Sequence, residues 1–307
     1  MSDIEIRHLR YFLAVAETEN FTRAADRLKI SQPSISQQIT QLEAALRTPL
    51  FRRVGKRVFL TEAGAAFRKG AEVVLRKLED ACGAVNAIAG LMTGRVELGV
   101  IPALHIAWVP PVLGFMAREH PGVTVGVQEL ASSGVETELE AGRLDLGFGL
   151  MTGNSPNIHY ERLVSQPFSL IAPSASPFAQ RSRLKLQELD GQRLVMLPES
   201  FDMRRAADAV LLHAKVHPRV AFELDSVDAV LSSVAETGIP TLLPAIVLRG
   251  RETHGLRAIA LADKTREMEF GILWPASDEV APATLAIAAA LKATLNLDHR
   301  PRAATKR

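Results

Sequence analysis

Cysteine is almost absent from this chain of 307 residues, since Cys82 is the only one. A single cysteine cannot form a disulfide within the chain, and it cannot build a metal site from several thiolates. The rest of the composition, with 47% hydrophobic and 23% charged residues, is typical of globular proteins. The length is sufficient for two or three domains that each bury a core.

Long apolar runs are missing as well. The longest runs are short and are interrupted by Gly, Pro or charged residues, so none predicts a segment that spans a bilayer. The opening residues MSDIEIRHLR lack the apolar segment of a signal peptide. We therefore expect no membrane partner and a location in the cytoplasm.

Catalytic and cofactor-binding motifs are also missing. No G-x-G-x-x-G opens a helix after a strand, and no H-E-x-x-H, nucleophile elbow or P-loop is present. His213 and His217 are four residues apart on a predicted helix, but no third metal ligand is near them in the sequence. The sequence therefore predicts no enzyme activity, no cofactor and no metal site.

The net charge is only +2, but the charges are unevenly distributed along the chain. Residues 20–60 contain eight Lys or Arg residues against two acidic ones, whereas residues 95–307 contain 22 basic and 24 acidic residues. A basic segment on a nearly neutral body indicates a polyanion that binds this segment alone. The alternative is a basic face that only contacts solvent.

The basic segment contains a run of predicted helices. Residues 7–17 and about 22–28 have the apolar spacing of amphipathic helices, and Ser31 or Gln32 can cap a third one. In that third helix the buried stripe is formed by Ile35, Ile39 and Leu42, and the opposite face carries Pro33, Ser34, Gln37, Thr40 and Gln41. Uncharged amides and hydroxyls can discriminate base edges in a major groove, whereas a merely solvated face usually favours Glu and Lys.

The stretch PLFRRVGKRVFLT, residues 49–61, predicts two short strands with a tight turn at Gly55-Lys56. Its basic side chains can reach phosphates beside the groove. A helix-turn-helix with a basic wing is a DNA-binding unit, so the expected partner is double-stranded DNA. The candidate DNA-binding residues are Arg23, Ser31, Gln32, Pro33, Ser34, Gln37, Gln41, Arg52, Arg53 and Lys56.

These motifs also resemble a known family. The winged helix-turn-helix of LysR-type transcriptional regulators is similar in Phe21, Ala24-Ala25, Leu28, SQPSISQQI, Leu42-Glu43, PLFRR and LTEAG. The resemblance covers about residues 7–65, and YFLAVAE with FTRAA is similar to the cyanate-operon-regulator branch. It implies a sequence-specific transcription regulator, associated with the nucleoid, whose C-terminal cleft binds a small-molecule effector that alters DNA binding or bending.

A long helix is predicted to follow, from a cap at Thr61 to about Met92. Its apolar residues are spaced alternately four and three apart, at Phe67, Ala71, Val74, Leu78, Ala81, Val85, Ile88 and Met92. This heptad seam favours a two-stranded coiled coil, and the alternative is a lone helix packed on its own domain. The DNA-binding domains of two chains suit an operator with two-fold character. The resemblance implies a homodimer or homotetramer. Cys82, beside the seam, is expected to be a small buried residue.

The remaining chain alternates predicted strands and helices. The order β-α-β-α-β, with strands GRVELGVIP, VTVGVQEL and RLDLGFGL and helices at about 106–119 and 133–142, predicts a parallel sheet. The alternation repeats over residues 167–267, and EMEFGILW with the last helix is expected to return to the first lobe. The chain after the long helix is therefore predicted to form two α/β lobes with a cleft between them.

The predicted fold is an N-terminal winged helix-turn-helix, mainly α, then a long linker helix and a C-terminal two-lobed α/β domain. The family resemblance implies that this last domain is a periplasmic-binding-protein-like effector domain. The predicted boundaries are residues 1–62 for the DNA-binding domain, 63–93 for the dimerisation helix and 94–307 for the effector domain. Lobe I is expected at about 94–167 and 268–297, and lobe II at about 168–267.

A ligand site is predicted in the cleft. The first strand ends at Ile101-Pro102, so the N–H groups of Ala103, Leu104 and His105 that open the next helix should face the cleft and favour an anion. The resemblance places Ala103 where many relatives have Ser or Thr, and Ser132 where they have a ligand-binding hydroxyl.

Two further parts of the site are predicted from the same resemblance. Leu150 stands where aromatic-acid-sensing relatives have an arginine. Phe201 and Met203 would line the second lobe, or they are simple core residues. Because two polar anchors are missing, we expect a small or weakly charged effector, with a small anion as one candidate.

Other functions are compatible with parts of the pattern. One alternative is a small-molecule-binding module or enzyme whose basic head docks on a protein, although a docking helix would expose apolar residues. A second is an architectural DNA binder without a ligand, for which an α/β cleft of some 200 residues would have no purpose. RNA polymerase is a further candidate partner of a regulator.

Overall fold

The computed structural model describes residues 4–54, 57–88, 92–153, 155–251, 255–276 and 280–298. The chain divides into two compact units, Met1–Gly90 and Leu91–Arg307. In the ranges above, no helix is both long enough and apolar enough to cross a membrane.

The first unit has the predicted order of elements. It contains α1 (Ile6–Thr18), α2 (Phe21–Leu28), α3 (Gln32–Leu46), β1 (Phe51–Val54), β2 (Arg57–Leu60) and α4 (Glu62–Ile88). Polar caps set the helix starts: the Asn20 side chain accepts from the N–H groups of Thr22 and Arg23, and Ser31 accepts from that of Ser34. The two strands pair antiparallel, as predicted, and the turn at residues 55–56 lies outside the described residues.

The core of this unit is centred on Phe12. Its fully buried ring lies 5.2 Å from that of Phe51 and 5.0 Å from that of Phe67, measured between ring centroids. One α1 side chain thereby joins the wing and the start of α4 to the helical core. The predicted stripe of Ile35, Ile39 and Leu42 is buried in the same cluster.

Helix α4 begins after the predicted cap. The Thr61 hydroxyl accepts a 3.0 Å hydrogen bond from the N–H of Gly64. The helix ends at Ile88, earlier than expected, and Met92 is not helical. Of the seam, Phe67 and Ala71 pack in the core, whereas Val74, Leu78 and Val85 are exposed, Val85 by 67%. The expectation for Cys82 was wrong, since it is exposed in the single chain.

The second unit contains two separate sheet layers. Its helices are α5 (Pro102–Glu119), α6 (Ser132–Glu140), α7 (Asp202–His213), α8 (Val227–Thr237) and α9 (Pro282–Asp298). Its strands are β3 (Gly94–Val100), β4 (Val123–Glu129), β5 (Leu146–Leu150), β6 (Ile158–Gln166), β7 (Phe168–Pro173), β8 (Arg183–Leu184), β9 (Arg193–Met196), β10 (Arg219–Glu223), β11 (Thr241–Pro244), β12 (Leu256–Leu261) and β13 (Met268–Pro275).

The first layer, here called lobe I, is a five-stranded sheet in the order β4-β3-β5-β13-β6. Strand β3 is parallel to both β4 and β5, which confirms the predicted β-α-β-α-β unit. Strand β13 lies antiparallel between β5 and β6, so the chain returns to the first sheet as predicted.

The second layer, here called lobe II, has the order β11-β7-β12-β8 beside a parallel β9–β10 pair. The alternation of strands and helices in this part of the chain was predicted. The four-stranded sheet is mixed, because β7 is antiparallel to both β11 and β12. Helices α7 and α8 contain the buried stripes that cover this layer. The chain passes between the lobes at residues 166–168 and again between β12 and β13.

Helix α5 starts at Pro102, four residues earlier than predicted. Proline suits the first helical turn because the N–H that it lacks would have no partner there. Pro110 and Pro111 lie inside the same helix. The early start places Pro102 directly after the first strand of lobe I.

Candidate DNA-binding and ligand-binding sites

The outer face of α3 is exposed over its whole length. Ser31, Gln32, Pro33, Ser34, Gln37, Thr40 and Gln41 are all exposed, opposite the buried apolar stripe. Gln41 accepts a 2.8 Å hydrogen bond from Gln38, and Thr40 bonds back to the Ser36 carbonyl. Within the described part of the chain, the side chains of Ser34 and Gln37 make no hydrogen bond, so they are available to a partner.

The basic residues predicted to contact DNA differ in what their side chains contact. The Arg23 guanidinium donates a 2.8 Å hydrogen bond to the Thr18 carbonyl at the end of α1. The Arg52 guanidinium lies 5.3 Å from the centroid of the Phe59 ring, which holds it along the wing. The Arg53 side chain and Lys56 lie outside the described residues.

The first turn of α5 offers fewer N–H groups than predicted. Those of Leu104 and His105 both donate to the Ile101 carbonyl, at 3.0 and 3.3 Å. The donor set predicted at Ala103, Leu104 and His105 is therefore reduced to Ala103. The side chains of Ala103 and Leu104 are fully buried, so only backbone atoms of these residues can face a ligand. The His105 Nδ1 atom lies 2.7 Å from the Glu129 carboxylate.

The other predicted ligand residues differ in exposure. Ser132, in the first turn of α6, is buried, and Leu150 is half-buried at the end of β5. Met203 is buried in the core and Phe201 packs against that core, which agrees with the alternative that they are core residues.

A cavity of about 1130 Å³ is lined by residues of both lobes. Its walls include Leu150 to Thr152, Arg162 of β6, residues from Asp202 on α7 to Ala214 just after it, and residues 263–269, which end in β13. Leu150 is the one predicted ligand residue among the lining residues. Pro102, Ala103, Leu104, His105, Ser132, Phe201 and Met203 do not line it, so this cavity does not unite the predicted set.

The cavity wall carries balanced charges. Arg162 and Glu269 form a 2.8 Å ion pair, and Arg205 pairs with Asp202. Sequence reasoning missed Arg162 and Arg205, because neither stands in a motif. The consecutive arginines of FDMRR were the only signal for Arg205. Such a wall can accommodate a polar ligand with charges of either sign.

Tyr160 and Glu136 fix the loop beside this cavity. The Tyr160 hydroxyl donates a 2.7 Å hydrogen bond to Glu136, and Thr152 donates to the same carboxylate oxygen. Burial is the largest influence on the Tyr160 hydroxyl and raises its pKa. The phenol therefore stays protonated and keeps donating to Glu136.

No metal site is found in the parts of the chain that the structure describes. No group of three or more His, Cys, Asp or Glu residues there has a metal-binding arrangement. His213 ends α7 and His217 follows the helix, so the two do not share a helical face as expected.

Comparison with known families gives two matches that cover most of the chain. The model described as "Bacterial regulatory helix-turn-helix protein, lysR family" matches residues 6–65. The model described as "LysR substrate binding domain" matches residues 89–296.

Individual relatives agree with these models. A hydrogen peroxide-inducible genes activator of Pectobacterium carotovorum subsp. carotovorum is 30% identical, with 82% of this chain and 84% of the relative covered. The regulator TfdS of Cupriavidus pinatubonensis is 31% identical, with 88% and 92% covered. The similarity to the cyanate branch stays a prediction, because these relatives have other names.

Solved structures share the fold. Full-length CbnR in complex with its target DNA superposes with a TM-score of 0.73 at 22% identity, with 95% of this chain and all of that chain covered. A full-length OxyR variant of Pseudomonas aeruginosa gives 0.71 at 21% identity, with 95% and 96% covered. The chain therefore belongs to the LysR family and is a DNA-binding transcription regulator with an effector-binding domain.

Proposed function

We propose that this regulator binds an operator with two-fold character as a homodimer or homotetramer, with α3 in the major groove of each half-site. The observation that supports this most strongly is the composition of the exposed face of α3. Ser34 and Gln37 are exposed without a hydrogen bond to another described residue, while Ile35 and Ile39 anchor the helix from behind. Amides and hydroxyls on a rigid helix suit base edges.

The wing supplies contacts that do not depend on sequence. Arg52 is held by the Phe59 ring, and Arg53 and Lys56 are the other two basic residues proposed for the wing. Cations at the tip and edge of a wing suit phosphates beside the groove. Arg23, Ser31, Gln32, Pro33 and Gln41 complete the proposed DNA-binding set.

The exposed part of the α4 seam supports dimerisation. Val74, Leu78 and Val85 form an apolar row on one helix, with no described residue of the chain covering it. Packing this row against the same row of a second chain removes apolar surface from water and brings two DNA-binding domains together. A tetramer requires further contacts outside this seam.

We propose that the effector is small, and that it binds between the lobes, near the first turn of α5, Ser132 and Leu150. In this proposal Phe201 and Met203 lie near the site but do not contact the effector. A small anion is the candidate that a helix N-terminus favours. The single cysteine cannot form an intrachain disulfide, so the hydrogen peroxide named for one relative is not proposed as the signal.

A protein-docking enzyme is no longer a competing function, because the family consists of transcription regulators. Contact with RNA polymerase, a location in the cytoplasm on the nucleoid, and the domain boundaries 1–62, 63–93 and 94–307 remain part of the proposal.

Footprinting of the full chain on DNA upstream of its own gene tests the proposal. The expected result is two protected half-sites whose centres are separated by whole helical turns. Protection of a single half-site, or uniform weak protection along the DNA, would contradict binding to an operator with two-fold character. A crystal of the full chain with a bulky dicarboxylate between the lobes would refute the small-effector part alone.

A further inference from the structure

Arg251 of lobe II is bound to lobe I. Its Nη2 atom donates a 3.0 Å hydrogen bond to the carbonyl of Pro102, the first residue of α5. The same guanidinium donates to the Val247 carbonyl at 2.9 Å and to the Asp228 carboxylate at 2.6 Å. Its side chain is 5% exposed, whereas that of Asp228 is 57% exposed. Arg251 is therefore a buried bridge between the two lobes.

The two preceding residues contact the same helix, α5. The Arg249 guanidinium is 4.9 Å from the centroid of the Trp108 ring, which is almost completely buried. Gly250 has a φ of +68°, and a Cβ atom on it would lie 2.9 Å from both the Ala107 Cα and the Ile106 carbonyl oxygen. Only glycine fits this approach, since any side chain would collide with the α5 backbone and strain its own.

Residues 249–251, here called the clasp, thus contact α5 over its first two turns. In the described part of the chain, the backbone itself passes between the lobes at two places, residues 166–168 and the connection between β12 and β13. Two adjacent connections form a hinge, about which lobes can open and close. A third connection, made by side chains rather than by the chain itself, restricts that motion as long as its hydrogen bonds persist.

The position of the clasp relates it to the effector. Pro102 begins the helical turn that faces the proposed site, and Asp228 lies in the first turn of α8. A ligand at this turn must either accommodate the Arg251–Pro102 hydrogen bond or compete with it. The clasp is therefore placed to respond to occupancy of the site.

We propose that Arg251 is a positioning residue that sets the separation of the lobes and couples occupancy at the start of α5 to lobe II. This inference rests on the proposed function, because it takes the effector to bind between the lobes. Asp228 orients Arg251, Gly250 permits the close approach, and Arg249 on Trp108 holds the segment in register.

Pulsed electron paramagnetic resonance on the full chain tests the clasp. In a Cys82→Ser background, spin labels are placed on Glu119, at the end of α5, and on Leu212, on α7; both residues are exposed. Labelled chains are mixed with excess unlabelled chains so that only distances within one chain are measured. We expect one narrow distance distribution for the parent and an added longer component for Arg251→Gln.

The matched control is Arg257→Gln. Arg257 also donates to a backbone carbonyl, that of Ala179 at 3.2 Å, but both residues belong to lobe II. This variant should keep the parent distribution. If Arg251→Gln and Arg257→Gln both reproduce the parent, with thermal unfolding showing that each is folded, the clasp is not a restraint and the inference fails.

A double-mutant cycle separates positioning from general stability. Asp228→Asn should broaden the distribution in the same direction, and the double variant should be no broader than Arg251→Gln alone, because both changes disable one bridge. Additive broadening would show that the two residues act separately and would overturn the proposal. If Arg251→Gln does not fold, Asp228→Asn alone still tests the bridge.

The distance measurement does not need the effector or DNA. A parent chain that fails to distinguish its upstream DNA from scrambled DNA would refute the proposed function and leave the clasp result standing. If the parent chain binds its operator specifically and Arg251→Gln keeps the parent's distance distribution, the proposed role of the clasp is refuted and the proposed function stands.

Discussion

The carboxylate of Glu43, on α3, accepts a 2.7 Å hydrogen bond from the backbone N–H of Leu50, just before the wing. The same oxygen accepts a second bond, of 3.1 Å, from the N–H of Phe51, where β1 begins. One acidic side chain in a basic region thus joins the reading helix to the wing. We expect the spacing between the proposed groove contacts and the proposed phosphate contacts to depend on this connection.

Glu43→Ala should weaken binding to every DNA sequence. The change leaves two part-buried N–H groups without their acceptor, at a cost of about 1–3 kcal/mol in folding stability, and it frees the wing from α3. Thermal unfolding and fluorescence anisotropy on native and scrambled DNA measure the two effects. Glu79→Ala, an exposed charge-matched change on α4, is the control; equal behaviour of both variants would mean that Glu43 does not position the wing.

Gln37→Ala should remove sequence discrimination rather than affinity in general. A base contact of this kind contributes about 1–3 kcal/mol of discrimination, so the preference for the native operator should fall by roughly 5- to 150-fold. Competition titration with native and scrambled DNA measures this ratio. Gln128→Ala, an exposed change on β4, should leave it unchanged. An unaltered ratio for Gln37→Ala would show that the assignment of α3 to the groove is wrong.

Arg52→Ala should lower the affinity for all DNA sequences rather than the discrimination between them. Loss of one phosphate contact weakens all sequences alike and reduces the slope of log affinity against log salt by about one. Anisotropy across a salt series gives this slope, with Arg193→Ala, an exposed arginine of the second unit, as the control. A selective loss on native DNA with an unchanged slope would assign Arg52 to base reading instead.

Val85→Asp should dissociate the dimer. Val85 is 67% exposed in the single chain, so the change should not disturb the fold of the chain. A charge in a coiled-coil seam should raise the dissociation constant at least about tenfold, equivalent to 1.4 kcal/mol. Sedimentation velocity over a concentration series measures it. Ala84→Asp, one residue away on an exposed face outside the seam, should sediment like the parent; identical dissociation of both would argue against the seam.

Periodicity was sufficient to predict most of the fold. The stripe of Ile35, Ile39 and Leu42 is buried as expected, because 3.6-residue spacing places these residues on one helix face. The return of β13 to the first sheet was also predicted, since its alternating strand pattern follows the complete second lobe. The helix stripe depends on neighbours in sequence, which a pattern records, whereas the return of β13 pairs distant residues such as Phe270 and Leu150.

Three other features of the structure were missed or mispredicted. The contact of Arg251 with Pro102 joins residues 149 positions apart, and no periodicity connects them. The early start of α5 was missed because Pro102 reads as a break rather than as a first helical residue. The exposure of Cys82 was mispredicted because its small apolar side chain was expected to be buried, whereas it lies beside the seam on the surface of α4.

The most direct test of the central claim is the affinity of the purified full chain for DNA from upstream of its own gene. Fluorescence anisotropy is measured across a salt series, with scrambled DNA of equal length as the competitor. We expect a clear preference for the native fragment together with steep salt dependence. Equal and weak binding to both fragments would contradict it, because the basic first unit would then attract DNA without reading its sequence.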